Sequence, residues 1–318
     1  MNYKMRMRRK IVYLDQCAVS NMVDAEEGSI WFEVKKSIVK AYSHNKILCP
    51  IPIEHYLESG ARHREDAIRQ NDFFVEISGG KEFCLWEEVV ANEIIYWIKY
   101  HKLCPIYSSY LRNLDLSKDF RDDNFYNMVL NANSIYAKDV QIEKDALNDV
   151  RKIIRDDKPK HDKDKILVSR MLENNAKQYA ELFLKIAFGM KLPKYTMMSK
   201  NTREFKIAYL LCMRRFSGKE FYLASCEFKK HLFANIPTLN TYYMLKANLA
   251  VNHISESKND DIDLERISST IFASDIMVTD KRQKRRLVEM GLDKEYNLSV
   301  FSSQENDIKN IIELLNSL

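Results

Sequence analysis

Short apolar runs rich in β-branched residues lie near both ends of the chain, and charged or turn-forming residues bound each of them. Runs of this length and composition are typical of buried strands rather than of helices. We therefore predict four strands, at 11–14 (IVYL), 47–51 (ILCPI), 276–279 (IMVT) and 296–301 (YNLSVF).

Segments with apolar residues at helical spacing separate these strands. Pro52 is well placed to open one helix, which either ends near Gly60 or continues through Arg69. The other helices near the ends are predicted at 29–44, 260–272, 280–290 and 307–315. Because strands that alternate with helices form parallel βαβ units, we predict an α/β fold with a parallel sheet flanked by helices on both faces.

The middle of the chain, 85–254, differs from both ends because its apolar residues recur at helical spacing and no strand is predicted there. The chain has 7 Gly and 6 Pro in 318 residues, which favours long helices over many tight turns. Residues 155–165 (RDDKPKHDKDK) are densely charged, which predicts a solvated loop or linker. We therefore expect a large all-helical insertion at 85–254 between two parts of one domain, 1–84 and 255–318.

The composition of the chain excludes several classes of protein. Its 50 Lys and Arg against 45 Asp and Glu give a net charge of +5, which is compatible with a nucleic-acid partner but does not require one. The six cysteines form no CxxC pair and have no histidine at metal-ligand spacing, so neither a disulfide scaffold nor a structural zinc site is expected. No run approaches the ~18 apolar residues of a membrane span, so we expect a cytoplasmic protein with no membrane partner.

Acidic residues stand next to the predicted strands in four separate segments. Ligands of open parallel sheets bind beyond the carboxyl ends of the strands. Clustered carboxylates repel one another unless a cation lies among them, so these acids predict a site for Mg²⁺ or Mn²⁺, which can orient a water for displacement at phosphorus. The acids are Asp15 after the first strand, Glu54 and Glu58 in the helix after the second, Asp260, Asp261 and Asp263 in the helix before the third, and Asp280 directly after it.

Each of these acids also has a purely structural interpretation. Asp15 and Asp280 can cap the helices that follow them, and the acids at 260–263 can interact with the dipole of their own helix. One of Glu54 and Glu58 is expected to be an ordinary solvated helix residue. The prediction of a metal site therefore depends on the location of the acids at one edge of the sheet.

Three stretches, IVYLDQCAVSNM, CPIPIEHYLES and DLERISSTIFASDIMVTDKR, follow one another in this order along the chain. They resemble the three signature stretches of PIN-like nuclease domains. The resemblance implies a Rossmann-like PIN-type sheet, an acidic pocket that binds Mg²⁺ or Mn²⁺, and cleavage of single-stranded RNA. It covers the two ends of the chain and not the middle.

By position, the resemblance implies which acids form this pocket. Asp15 matches the first acid after strand one. Glu58 matches the acid of the following helix, with Glu54 as the alternative. Asp263 matches the third acid, with Asp261 as the alternative. These residues would be the catalytic and metal-binding acids.

The segment after the predicted strand 276–279 matches the family less closely. Thr279 and Asp280 resemble the threonine and acid of the family at this point. This implies that Thr279 positions a ligand or phosphate by its hydroxyl and that Asp280 binds the metal or orients the water. The fourth acid of the family often stands two residues after the threonine, and Lys281 occupies that position here.

Five of the six residues at 281–286 are basic, and they open a helix beside the predicted metal site. A phosphate backbone that approaches the pocket would meet them together with the amides of the helix N-terminus. A solvated helix face is the alternative, since runs of charge usually have that role. His55, near the predicted acids, is expected on a helix surface. The candidates for substrate binding, besides Thr279, are Lys281, Arg282, Lys284 and Arg285.

Together these features predict a metal-dependent endoribonuclease that cleaves single-stranded RNA. Bacterial PIN-like proteins are often toxins or defence effectors, so the resemblance implies an inhibitory or activating protein partner, and a homodimer is compatible with it. Two other functions stay open: a structure-specific DNase with the same pocket, and a non-catalytic scaffold that binds nucleic acid or protein. Lys281, in place of an acid, makes the scaffold credible.

Overall fold

The computed structural model of the chain describes residues 9–132, 162–192, 203–251 and 258–318. Strands and helices are numbered in chain order, and α7 is given only for its described residues. They are β1 (Lys10–Leu14), α1 (Gln16–Val23), α2 (Ile30–Ser43), β2 (Ile47–Leu48), α3 (Glu54–Ser59), α4 (Arg64–Ile77), β3 (Lys81–Phe83), α5 (Trp86–Tyr100), α6 (Ile106–Ser109), β4 (Leu111–Asn113), α7 (123–132), α8 (Asp162–Ala187), α9 (Arg203–Met213), α10 (Gly218–His231), α11 (Pro237–Val251), α12 (Lys258–Thr270), β5 (Ile276–Val278), α13 (Lys281–Glu289), α14 (Leu292–Glu295), β6 (Ser299–Phe301) and α15 (Glu305–Ser317).

Four parallel strands form the central sheet, in the spatial order β2-β1-β5-β6. β1 pairs with β2 on one side, where Lys10 lies opposite Ile47, and with β5 on the other, where Leu14 lies opposite Val278. Residues 11–14 of β1 are fully buried, as expected for a strand covered on both faces. The predicted α/β fold with a parallel sheet flanked by helices is therefore confirmed, and each predicted strand overlaps an observed one.

The hydrophobic pattern of the sequence does not predict two short strands beside this sheet. Ile51 forms a parallel bridge with Glu82 of β3, and β3 pairs in antiparallel fashion with β4. The prediction that 85–254 contains no strand is therefore wrong at β4. The physical reason is that β3 (KEF) and β4 (LRN) each contain a single apolar residue, so pairing with a neighbour defines them rather than a hydrophobic run.

The sequence predicts that the helix after Pro52 ends near Gly60 or continues through Arg69, and the structure shows the first of these. α3 stops at Ser59 with Gly60 as its C-cap, and a separate helix, α4, begins at Arg64. A Cβ atom at Gly60 would lie only 2.3 Å from Cγ1 of Val129 in α7. Glycine at this position therefore permits the close approach of α7 to the end of α3.

The chain divides into two compact units. The first consists of Met1–Phe83, Leu111–Ile135 and Thr270–Leu318, and the second of Cys84–Tyr110 and Tyr136–Ser269. These limits differ from the predicted boundaries in two places. The segment 111–135 belongs to the sheet-containing unit, and α12 up to Ser269 belongs to the other unit. Of the predicted linker 155–165, residues 155–161 lie outside the described ranges and the rest begins α8.

The core of the first unit explains why residues 111–132 belong to it. Phe120, Phe125 and Val129 join the same buried cluster as residues of β1, α2, α4 and α15. The guanidinium of Arg64 donates from Nε to the Phe120 carbonyl at 2.7 Å and from Nη2 to the Arg121 carbonyl at 2.8 Å. Apolar burial and these hydrogen bonds together fix the segment on the sheet-containing unit.

A buried carboxylate connects β3 to the same segment. The side chain of Glu82 is 1% exposed and accepts hydrogen bonds from Nε of Arg112 at 2.6 Å and from Nζ of Lys118 at 2.7 Å. Lys118 also lies 5.3 Å from the ring centroid of Tyr56 in α3. A buried carboxylate is stable only when it is paired. Arg112 and Lys118 are therefore needed to stabilise the charge of Glu82.

We expect Glu82→Ala to lower the free energy of unfolding by about 2–3 kcal/mol, because it leaves two partly buried cations without their shared carboxylate. Urea titration of the full chain measures this change. Glu76→Ala on the exposed face of α4 is the matched control and should shift the free energy by no more than about 0.5 kcal/mol. Equal stabilities of the two variants would contradict the structural role of Glu82.

The second unit is built from helices around an aromatic core. The Phe233 and Tyr243 rings stack with centroids 5.1 Å apart and planes 13° apart. Other rings meet edge to face, and such pairs stabilise a core beyond the area that they bury. Other large members of this core include Tyr179, Phe183, Phe221 and Phe228.

No helix in the described ranges is long and apolar enough to cross a membrane.

One acid of α5, Glu93, is buried in this helical unit. It accepts hydrogen bonds from the hydroxyl of Tyr110 at 2.5 Å and from the hydroxyl of Thr238 at 2.6 Å. Burial raises the pKa of Glu93 to about 7, although these hydrogen bonds act in the opposite direction. The carboxyl therefore holds its proton up to a higher pH in the folded protein than in the unfolded chain.

This raised pKa predicts a pH dependence of stability. In the unfolded chain Glu93 loses its proton near 4.5, but in the folded protein only near 7. Its favourable contribution is therefore complete below pH 4.5 and is lost as the pH rises to about 7, on the order of 3 kcal/mol. Glu93→Gln should remove this part of the slope in urea unfolding across that range. Parallel slopes for the two proteins would contradict the prediction.

Candidate functional site

Asp15 lies at the carboxyl end of β1, in the N-cap position of α1, and is 6% exposed. Its backbone N–H donates to the carbonyl of Val278 at 2.9 Å, which holds the ends of β1 and β5 side by side. The side chain makes no capping hydrogen bond to α1. Instead Oδ2 accepts a hydrogen bond of 2.9 Å from Oγ1 of Thr279. The structural interpretation of Asp15 as a side-chain cap is therefore wrong.

Thr279, the second partner in this pair, follows directly after β5. Its side chain is buried at 1% exposure, and its backbone N–H donates to the Phe301 carbonyl of β6 at 3.0 Å. β5 is paired on both sides, so the hydroxyl is held at a defined position beside Asp15. The structure thus brings two predicted site residues together at the edge where parallel sheets bind ligands.

Glu58 lies on α3, and a hydrogen bond beside it connects this helix to α1. Gln16 directly follows Asp15, and its Nε2 donates to Oγ of Ser59 at 3.1 Å. Glu58 itself is half-buried. Glu54, the alternative acid, opens α3, and its side chain lies outside the part of the chain that the structure describes. The first two predicted acids therefore belong to neighbouring elements of one unit.

Asp280 follows Thr279 but its side chain has a different use. It is the N-cap of α13, and its Oδ1 accepts from the backbone N–H groups of Arg282 at 2.6 Å and Gln283 at 2.9 Å. Two amides of the helix terminus are thereby satisfied. The structural interpretation of Asp280 as a cap is confirmed, and its role toward metal or water stays a prediction.

The candidates for the third acid lie on α12, in the second unit. Asp263 forms an ion pair with Arg266 one turn later, whose side chain is 4% exposed. A buried guanidinium requires such a partner, so this carboxylate already balances a charge. The side chain of Asp261, like that of Asp260, lies outside the described part of the chain. Both third-acid assignments stay predictions.

The donors at the sheet edge fit a hard cation only in part. The carboxylate of Asp15 and the hydroxyl of Thr279 offer oxygen, the ligand that Mg²⁺ and Mn²⁺ prefer. Among the side chains that the structure describes, however, no three His, Cys, Asp or Glu residues are arranged to hold a metal ion. The described residues thus supply oxygen donors at this edge but not a full set of metal ligands, and the metal site stays a prediction.

The basic residues of α13 divide into two groups. Lys281 and Arg282 are exposed at the N-terminus of the helix. Arg285 Nε pairs with Glu289 at 2.7 Å, and this contact raises the pKa of the arginine. Arg286 is buried, with Nη1 donating to Oε1 of Gln283 at 2.9 Å. Lys281, Arg282 and Arg285 are thus exposed, the last with a surface partner, and their binding of a substrate stays a prediction.

Lys284, the remaining basic candidate, belongs to a hydrogen-bonded group beside β6. Its Nζ lies 2.5 Å from Oδ1 of Asp307, whose Oδ2 accepts from the backbone N–H of Ser302 at 2.9 Å. Burial alone would raise the pKa of Asp307, but hydrogen bonds from Lys284 and Ser302 bring it below its ordinary value. Lys284 thus stabilises an ionised carboxylate between α13 and α15.

Several buried polar side chains near Asp15 were not predicted as functional. His55 is 1% exposed, so the expectation of a surface histidine is wrong. Its helix packs against α1 and α4, and its ring lies edge-on to Phe74 with centroids 4.4 Å apart. One signal is visible in the sequence: Gln70 stands on the apolar stripe of α4 that includes Ala67, Phe74 and Ile77.

The Asp15–Thr279 hydrogen bond can be tested by stability. Thr279→Val keeps the shape but removes the donor from a buried carboxylate, so we expect a loss of about 1–3 kcal/mol in the free energy of unfolding. Thr279→Ser keeps the hydroxyl and should restore most of it. In the Asp15→Ala background the effect of Thr279→Val should shrink, which a double-mutant cycle measures. Additive effects of the two substitutions would disprove the pairing.

Comparison with protein-family models, with curated proteins and with solved structures gives no match to this chain. Its function is therefore inferred from the residues at the carboxyl edge of the sheet.

Proposed function

We propose that this protein is a phosphodiester hydrolase, a metal-dependent endoribonuclease of PIN-like type that cleaves single-stranded RNA. In this proposal the first unit is the catalytic domain, and the helical second unit is an insertion in it. An inhibitory or activating protein partner and a role as toxin or defence effector remain predictions of the resemblance to that family, and a homodimer is compatible with them.

The observation that carries the proposal is the placement of Asp15. The Asp15 carboxylate is 6% exposed and follows a central parallel strand, and it accepts a hydrogen bond from the Thr279 hydroxyl instead of capping its own helix. Burying it costs free energy that a purely structural residue would avoid. Such a position, beside the Thr279 hydroxyl, is typical of a functional acid in an open α/β sheet.

The remaining roles follow from chemistry at this edge. Hydrolysis forms a bond from a water oxygen to phosphorus and breaks the bond from phosphorus to a sugar oxygen. In our proposal Asp15 and Glu58 orient the attacking water, and one of the two carboxylates accepts its proton. The leaving sugar oxygen takes a proton from solvent, and Thr279 holds Asp15 in place. Lys281 and Arg282, exposed at the start of α13, bind flanking phosphates of the strand.

A divalent cation would fit this assignment if the Asp15 carboxylate and the Thr279 hydroxyl held it, with Glu58 as a further ligand. When bound, Mg²⁺ or Mn²⁺ supplies Lewis-acid stabilisation of the charge that develops at phosphorus. The second-unit acids Asp261 and Asp263 remain candidates from the sequence resemblance.

A non-catalytic scaffold that binds nucleic acid is the second candidate function. Two observations favour it: Asp280 is used as a helix cap, and Asp263 is paired with Arg266. Lys281 also stands where an acid is expected. A scaffold of this kind would bind through the cations of α13 and release no product.

The test is a cleavage assay with the full chain. Labelled single-stranded RNA, single-stranded DNA and duplex DNA are incubated with Mn²⁺ or with EDTA. We expect Mn²⁺-dependent cleavage of the RNA within the strand, and a loss of about 100-fold or more in Asp15→Asn, because several kcal/mol of transition-state stabilisation disappear.

Asp275→Asn is the matched control. Asp275 lies at the opposite, amino end of β5, where its Oδ2 accepts from the N–H of Ile11 at 2.8 Å, and an amide oxygen can keep that contact. Its activity should equal that of the unmodified chain. Preference for DNA would indicate the DNase, binding without cleavage would indicate the scaffold, and cleavage that survives EDTA and Asp15→Asn would refute the proposed mechanism.

A further inference from the structure

A buried network of polar side chains lies between α1, α3 and α4 of the first unit. Nε2 of Gln16 donates to Ser59 Oγ at 3.1 Å and to Oε1 of Gln70 at 2.5 Å. Gln70 in turn donates from Nε2 to Oγ of Ser20 at 3.1 Å. Nδ1 of His55 makes a short hydrogen bond to Oε1 of Gln16, and Ser59 Oγ lies 3.2 Å from Nε2 of the same ring. The network thus spans all three helices.

The polar side chains of this network are buried. Gln16 is 7% exposed, and His55, Ser59 and Gln70 are 1% exposed or less. Apolar residues at these positions would contribute burial without a desolvation cost. Directional hydrogen bonds do what apolar contacts cannot: they hold helices in one register, since a shift breaks several bonds at once in a region of low dielectric.

The network reaches the chain directly beside both predicted acids of this unit. Gln16 is the residue after Asp15, and Ser59 is the residue after Glu58. Their 3.1 Å hydrogen bond therefore joins the neighbours of the two acids, and consecutive Cα atoms are about 3.8 Å apart. This contact therefore helps to hold α1, which follows Asp15, against the helix that carries Glu58.

His55 controls the contact through the orientation of the Gln16 amide. Because Oε1 of Gln16 can only accept, Nδ1 of His55 is assigned as the donor, which leaves the amide N–H groups of Gln16 to donate to Ser59 and Gln70. The edge-on packing against Phe74 holds the ring in place. Without the ring donor, the amide can turn, and the bond to Ser59 is lost.

We propose that His55, acting through Gln16, is a positioning residue that sets the separation of Asp15 and Glu58. This inference rests on the proposed function of those two acids. His55 touches no substrate in this assignment, so its effect is on the rate of the chemical step and not on RNA binding. Residues that orient active groups in this indirect way typically contribute about 10–100-fold to activity.

The test compares two substitutions in the full chain. His55→Asn keeps an N–H donor near the place of Nδ1, whereas His55→Leu removes every donor. With single-stranded RNA and Mn²⁺, we expect His55→Leu to lower kcat by about 10–100-fold with KM changed less than about twofold. His55→Asn should recover most of kcat. His44→Leu, at an exposed histidine that ends α2, is the control and should leave kcat unchanged.

A second readout needs no activity. Hydrogen exchange of the α1 and α3 amides should be faster in His55→Leu than in the unmodified chain and should return toward normal in His55→Asn. Exchange and kcat that are alike in both variants would overturn the inference. If the unmodified chain cleaves no RNA but the exchange pattern holds, the proposed function fails while the structural effect of His55 stands. If cleavage occurs and both variants lose it equally, the positioning role fails alone.

Discussion

The hydrogen bond from Thr279 to Asp15 is the contact on which our account of this protein depends. A carboxylate in the interior is stable only with donors or cations around it, and Thr279 supplies one donor from the neighbouring strand. That donor is available because β1 and β5 are adjacent and parallel, so their carboxyl ends meet. The pairing of two strands that are far apart in the sequence thus creates the polar centre of the first unit.

Two aspartates that each stand at the start of a helix show how local geometry determines the hydrogen-bond partners of a carboxylate. Asp280 directs its carboxylate to the amides of α13, whereas Asp15 directs its carboxylate across to β5 and leaves α1 without a side-chain cap. A helix without a side-chain cap gives up about 1 kcal/mol of potential stability. The missing side-chain cap of α1, together with the polar contacts around Gln16, distinguishes this edge of the sheet from the apolar core beneath it.

Much of the fold can be predicted from the sequence because its signals are local. A short stretch of sequence is enough to show the apolar runs that predict β1 and β5. The same holds for the helical spacing of apolar residues that predicts the amphipathic helices α2 and α15. β3 and β4 cannot be predicted in this way, because three-residue strands with one apolar residue exist only through their partners. The assignment of residues 111–132 to the sheet-containing unit depends likewise on contacts distant in sequence, such as those of Arg64.

The site shows the same division. The sequence identifies Asp15 and Thr279 as neighbours of strands, and the structure adds the hydrogen bond between them. The sequence alone could not reveal that Lys284 pairs with Asp307 or that His55 is buried, because both depend on the packing of separate helices. Gln70 is the exception, since a polar residue within an apolar helical stripe is visible in the sequence itself.

Diffraction from crystals soaked in Mn²⁺ shows whether the Asp15 carboxylate is a functional acid that contributes to a metal site. Anomalous scattering locates the ion without any assumption about the reaction. Our account predicts a peak in contact with the Asp15 carboxylate that is absent from Asp15→Asn crystals. An intact Asp15–Thr279 hydrogen bond with no Mn²⁺ beside it at saturating concentration would contradict the account.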